Sequence, residues 1–258
     1  MNIHLSHALL AIFGIALAGC NEANSPSTQS AQAQSATGST AVATSTPPAT
    51  GSLTALGKQY PLQQSAVSWD DTVAGLPKEK AQYLRKIQAR YFGAFAFSDD
   101  EERQYLEAAG FPSIEEWLTA MQMSDTELKA LSDTGDGKAQ AIYLDRMMDR
   151  ASEYLYLREI NDTAYRASPG HSYSMKAYEL STQVQFSHRS PFTGYLLGAM
   201  YSTLNYPPSP ESAAAGMLVA ADAGDPRAAT FFSDYLAHHP SLDRDLIQVA
   251  RNAMDVSP

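Results

Sequence analysis

One cysteine, Cys20, stands in a chain of 258 residues, so no disulfide within the chain is possible and the fold must hold by packing. Positive charge is scarce as well: 18 Lys and Arg against 28 Asp and Glu leave a formal net charge of -10. With no basic stripe anywhere, nucleic acid and anionic lipid surfaces are poor partners. No apolar run reaches the roughly 20 residues that a bilayer-spanning helix requires. Stretches in which β-branched and polar residues alternate are also missing, and with them the signature of half-buried strands.

The signatures of catalysis and metal binding are missing too. His4 and His7 stand in the leader, and His171, His188, His238 and His239 show neither His-x-x-x-His nor Glu-x-x-His spacing. His238-His239-Pro240 sits at an expected helix end, where a protonated imidazole suits the helix dipole. Asp133 to Ala139 fails as a phosphate loop, with Ser132 in place of the first glycine and Ala139 in place of the magnesium-binding hydroxyl. It fails as a calcium loop because Leu144 occupies the position of the bidentate glutamate. There is no Gly-x-Ser-x-Gly elbow, and Ser174-Met175-Lys176 lacks the Ser-x-x-Lys helical turn. The acid pairs Glu101-Glu102 and Glu115-Glu116 stand next to each other on expected first turns. There they point apart and serve the helix dipole rather than flanking a scissile bond. The sequence therefore predicts no catalytic residue, no metal and no cofactor.

Residues 1–19 end in a short apolar block, Ala8 to Leu17, broken only by Gly14 and too short to span a bilayer. Leu17-Ala18-Gly19-Cys20 follows directly and resembles the lipobox of bacterial lipoprotein signal peptides. The resemblance implies that Cys20 is diacylated, becomes the mature N-terminus and is acylated again, so that several chains hold the protein on a membrane. By the same analogy Asn21, where an aspartate would favour inner-membrane retention, points to the outer membrane with the body facing the periplasm. Residues 20–56 are expected to be a disordered tether. From Asn21 to about Thr54 the only charge is Glu22, and Val42 is nearly the only apolar side chain larger than alanine. A tether of about 35 residues spans roughly 30 to 36 Å.

The remaining chain predicts an all-α body. Ser98-Asp99-Asp100-Glu101, Ser113-Ile114-Glu115-Glu116 and Ser124-Asp125-Thr126-Glu127 each place Ser three residues ahead of Glu, the spacing of a capping box. Leu84, Ile87, Tyr91 and Phe95 form one apolar stripe on a helix opening near Pro77. Ser190-Pro191, Ser209-Pro210 and Asp225-Pro226 set a capping side chain before a proline, a further set of helix starts. Gly135-Asp136 and Gly224-Asp225 read as corners: the glycine ends one helix in the left-handed conformation, and the aspartate caps the next. Pro191 and Pro226 lie 35 residues apart, the period of a helical solenoid.

Thr193-Gly194-Tyr195-Leu196-Leu197-Gly198-Ala199-Met200-Tyr201 resembles the first helix of Sel-like repeats, a branch of the tetratricopeptide superfamily. Ala213, Ala220-Ala221 and Gly224-Asp225 resemble the second helix and corner of that repeat. Residues 191–225 make one full repeat, 226–238 and 242–254 a second with Ser233 replacing a glycine, and about 138–165 and 173–187 a divergent first. The resemblance implies an α-α superhelix, a short solenoid over residues 134–258, preceded by an N-terminal helical cap over 57–133. Tyr195, Leu197, Tyr201, Ala213 and Ala220 are expected to pack helix on helix.

Tyrosine is in surplus in the repeat region, and its large area with a polar tip suits interfaces. About two thirds of these rings are expected in or half in the core. Tyr195, Tyr201, Arg227, Phe231 and Tyr235, around the Gly224-Asp225 corner, are the candidate binding residues. The function expected is a lipid-anchored periplasmic module that holds an unidentified envelope protein or peptide. The alternatives are an immunity lipoprotein that neutralises a periplasm-targeted toxin and an enzyme that remodels the envelope or peptidoglycan.

Overall fold

Side-chain caps start most of the helices, and the caps decide where the chain turns. The computed structural model describes residues 51–58, 69–187 and 189–254, all within the compact unit Thr46–Pro258. Among these described residues every regular element is an α-helix. The first six are α1 (Leu53–Gly57), α2 (Trp69–Ala74), α3 (Lys78–Arg90), α4 (Asp100–Ala108), α5 (Ile114–Gln122) and α6 (Asp125–Asp133). There follow α7 (Gly137–Ser152), α8 (Tyr156–Ile160), α9 (Asp162–Arg166) and α10 (Pro169–Ser187). The C-terminal helices are α11 (Pro191–Leu204), α12 (Pro210–Asp222), α13 (Ala228–His238) and α14 (Arg244–Met254). The expected signal peptide, Cys20 and the tether up to residue 50 lie outside the described residues.

Ser113 with Glu116 and Ser124 with Glu127 form reciprocal capping boxes, as their spacing predicts. The third expected box is shifted by one residue. Asp99, not Ser98, caps α4 by accepting from the Glu102 amide, while Glu102 accepts from the Ser98 amide. A carboxylate is available one position closer to the helix, so the cap forms there, while Glu102 reaches back past the N-cap to Ser98. Two further corrections concern boundaries. The tether was expected to run to residue 56, but Ser52 caps α1, Leu53 is fully buried, and its amide donates to Asp136, the residue that caps α7. The long helix expected over 138–165 is three helices, because α7 ends at Ser152 and Asn161 caps a separate short α9.

The central helix is α7, which packs against α1, α5, α6, α10 and α11. Its Asp145 is buried and holds α3 by accepting from Arg90 and, at 2.6 Å, from the Tyr91 hydroxyl. Burial disfavours the charge on Arg90, but Asp145 and Asp149 outweigh it and raise its pKa further. Buried Glu116 does the same service at the other end. It closes its own capping box and takes Thr54 of α1 at 2.5 Å and Lys138 of α7 at 3.1 Å. Ion pairs buried in this way are specific because removal of either partner strands a charge.

The core above α7 is aromatic. Phe95 stacks on Trp69 at 4.7 Å and meets Tyr91, Phe111, Trp117 and Phe192 at centroid distances of 5.6 to 6.2 Å. These rings come from α2, α5, α11 and the loops either side of α4, so one cluster gathers both halves of the chain.

At the C-terminal side α11 and α12 cross with their backbones nearly touching. A Cβ on Gly194 would lie 2.5 Å from the Ala220 amide nitrogen, and one on Gly198 would lie 2.9 Å from Gly216 Cα. Helix α12 then packs against both α13 and α14. Gly216→Ala puts a methyl 2.6 Å from Gly198 Cα, where only main chain could yield. It should lower unfolding free energy by about 2 kcal/mol or more in urea denaturation despite the better helix propensity of alanine. Gly51→Ala, with open space around it, should change stability by less than about 0.5 kcal/mol. Equal stability of the two variants would contradict the close crossing.

Candidate functional site

The corner between α12 and α13 begins with local backbone rules. Gly224 takes φ +105, and the Asp225 amide returns to the Ala220 carbonyl at 3.0 Å, closing α12. Asp225 was expected to cap α13 directly. Instead its carboxylate accepts from the Arg227 amide at 2.9 Å, and α13 starts only at Ala228 with no side-chain cap. The carboxylate faces inward because three donors meet it: the Arg227 amide, the Arg227 guanidinium at 2.8 and 3.0 Å, and the Tyr195 hydroxyl at 3.0 Å. Burial, and then the charge of Asp225, raise the Tyr195 pKa well above the ordinary tyrosine value, so its proton stays in place.

Arg227 also reaches out of its own hairpin. It donates to the Ala94 carbonyl at 2.9 Å and the Ala96 carbonyl at 3.2 Å, and lies over the rings of Phe97, Phe111 and Phe231. Tyr105 on α4 closes the same junction by donating to the Gly224 carbonyl at 3.3 Å. The corner therefore fastens α13 to the loop between α3 and α4.

That loop and α13 wall a cleft of about 330 Å³ lined by Phe92, Met217, Phe231, Asp234, Tyr235, His238 and His239. Phe92 enters it from the end of α3 with φ +56, in the left-handed region. Its amide bonds the Ala89 carbonyl and the Gly93 amide bonds the Gln88 carbonyl, the Schellman pattern of a helix end. At the ends of α4, α6 and α12 the left-handed position is Gly110, Gly135 and Gly224. At α3 it is a phenylalanine, a bulky residue held there at a cost of about 1–3 kcal/mol. The ring it presents meets Tyr235 edge-on at 5.8 Å, and Tyr235 lies 4.3 Å from His239. His238 Nδ1–H donates to the Asp234 carbonyl at 2.7 Å. Burial first, and then the charge of Glu211, raise the Tyr235 pKa.

The candidate binding residues thus separate. Phe231 and Tyr235 line the cleft, half-buried. Arg227 is the joist behind it, and Tyr195 is fully buried against Phe231 at 6.3 Å. Neither Tyr195 nor Arg227 presents a surface to a partner, because their polar atoms are used within the fold. Tyr201 does not line the cleft; its ring lies 6.1 Å from Tyr178 on α10. The ten tyrosines of the repeat region are more buried than expected, with only Tyr156 and Tyr206 exposed. Sequence reasoning missed Phe92, and no local signal marks it, because Gly93 beside it reads as the natural helix stop.

The acid pairs have structural work: Glu102 and Glu116 accept from the Ser98 and Ser113 amides. Among the described residues no group of three or more His, Asp, Glu or Cys is placed to hold a metal ion. Comparison with protein-family models, curated proteins and solved structures gives no match to this chain.

Two substitutions test the corner. Arg227→Met strands the buried Asp225 carboxylate and should cost about 3–5 kcal/mol of stability in urea denaturation. Tyr195→Phe removes one neutral donor of three and should cost about 1–2 kcal/mol. Similar losses from both would show that the carboxylate does not depend on Arg227.

Proposed function

We propose that this protein is a non-enzymatic binding module, carried at the bacterial envelope by a lipid on Cys20, which holds a protein or peptide partner in the cleft beside α13. The observation that carries this reading is Phe92. A large aromatic ring occupies the left-handed position that glycine fills at three other helix ends, and that ring walls a half-exposed cleft. Strain retained where a stable alternative exists is a mark of a surface that does something. The buried carboxylates Asp145, Asp225 and Glu116 are engaged with cations and hydroxyls inside the fold, which favours binding over acid-base chemistry.

The architecture belongs, in this reading, to a short α-α superhelix of the Sel-like kind. Support comes from the succession α11, α12, α13, α14, from Gly198 and Gly216 where the helices cross, and from Gly224-Asp225 at the turn into the next pair. The anchor and the outer-membrane location rest on Leu17-Ala18-Gly19-Cys20 and Asn21 alone.

Crosslinking in intact envelopes should attach the protein to a reproducible partner, and Tyr235→Ala should reduce that product at least fivefold with the fold unchanged by circular dichroism. The same products from both forms, or none beyond a tag-only control, would count against the cleft. In fractionation the wild type should follow the membranes and Cys20→Ser the soluble fraction; a soluble wild type would remove the anchor.

A further inference from the structure

The cleft combines aromatic walls with a carboxylate. Phe92, Phe231 and Tyr235 line it with aromatic rings, whose faces carry the negative side of a quadrupole. Asp234, exposed on α13, is the one carboxylate in its lining. No lysine or arginine lines the cleft. His238 and His239 share the lining, the first with its Nδ1–H donated to the Asp234 carbonyl and the second with its ring against Tyr235. Burying a neutral apolar side chain would satisfy the rings and leave the Asp234 carboxylate unmatched. A cation on an apolar stem matches both.

From this complementarity we infer that the cleft takes an arginine side chain of the partner, its guanidinium stacked on the rings and its N–H groups turned to Asp234. The molecule already uses this arrangement internally. Arg227 lies 4.9 Å from the Phe97 ring centre and 5.5 Å from that of Phe231 while bonding the Asp225 carboxylate. Arg158 lies 4.4 Å from the ring centre of Tyr165. A planar guanidinium stacks and bonds at once, which a compact ammonium does less well. The formal charge of -10 on the whole chain would draw a basic partner towards it. This inference rests on the cleft being the binding surface.

The test uses the peptide acetyl-Gly-Arg-Gly-amide and its citrulline, lysine and leucine counterparts, titrated at pH 7.5 into the full soluble chain carrying Cys20→Ser, with amide chemical shifts as the readout. The arginine peptide should bind at least fivefold tighter than the citrulline and leucine peptides, and no weaker than the lysine one, with shifts centred on residues 92 and 231–239. Phe92→Gly puts the residue best suited to that backbone at the position, so it should fold and yet weaken the arginine peptide at least fivefold. Asp234→Asn should erase the preference of arginine over citrulline. Equal binding of arginine and citrulline, tighter binding of leucine or lysine, or shifts centred elsewhere would overturn the inference. If Tyr235-dependent crosslinking holds while arginine is not preferred, the specificity alone is wrong; if both fail, the cleft is not the binding surface.

Discussion

The Asp225 carboxylate is the constraint around which the C-terminal half is arranged. It is almost wholly buried, so its charge must be met inside the fold, and Tyr195 and Arg227 meet it from α11 and from the turn into α13. Because Arg227 spends its remaining donors on the Ala94 and Ala96 carbonyls, meeting that one charge also fixes the loop after α3. The position of Phe231, and the cleft it shares with Phe92, follow from the same contacts. The far half has its own counterparts in Asp145 with Arg90 and Tyr91, and in Glu116 with Thr54 and Lys138. Each joins helices that are distant in sequence, the task a disulfide would perform in a chain with more than one cysteine.

Packing supplies the rest. Ring contacts around Phe95 and the close crossing of α11 over α12 bury large apolar surface, with no sheet among the described residues. Burial is the main driving force, while the buried ion pairs select one arrangement of the helices. A backbone under strain at Phe92 survives only because the Schellman bonds at the end of α3 and the ring contact with Tyr235 hold it.

Features that rest on short-range rules were legible in the sequence. Ser113 with Glu116, Ser124 with Glu127, and the left-handed Gly135 and Gly224 are local devices, and they stand where their spacing implies. Features decided by tertiary contact were not. Asp225 reads as a helix cap, yet the hydroxyl of Tyr195, 30 residues away, and the guanidinium of Arg227 draw its carboxylate inward, and the helix starts later. Leu53 reads as part of a tether, yet its amide finds Asp136, 83 residues on. Half of the site was visible, since Phe231 and Tyr235, which line the cleft, stand among the candidate residues around the Gly224-Asp225 corner. Phe92 was invisible because nothing local requires an aromatic ring where the backbone prefers glycine.

These contacts give a body whose buried carboxylates Asp145, Asp225 and Glu116 are engaged inside the fold, and whose one non-glycine residue at positive φ among the described residues, Phe92, faces a cleft. The account stands or falls on whether a partner covers that cleft. Hydrogen exchange of the soluble chain, free and bound to its crosslinking-identified partner, measures this most directly. The account predicts slowed exchange at residues 91–97 and 228–239, with little change at α8 and α9. Protection confined to the exposed Tyr156 and Ile160 on α8, with residues 91–97 and 228–239 unaffected, would contradict it.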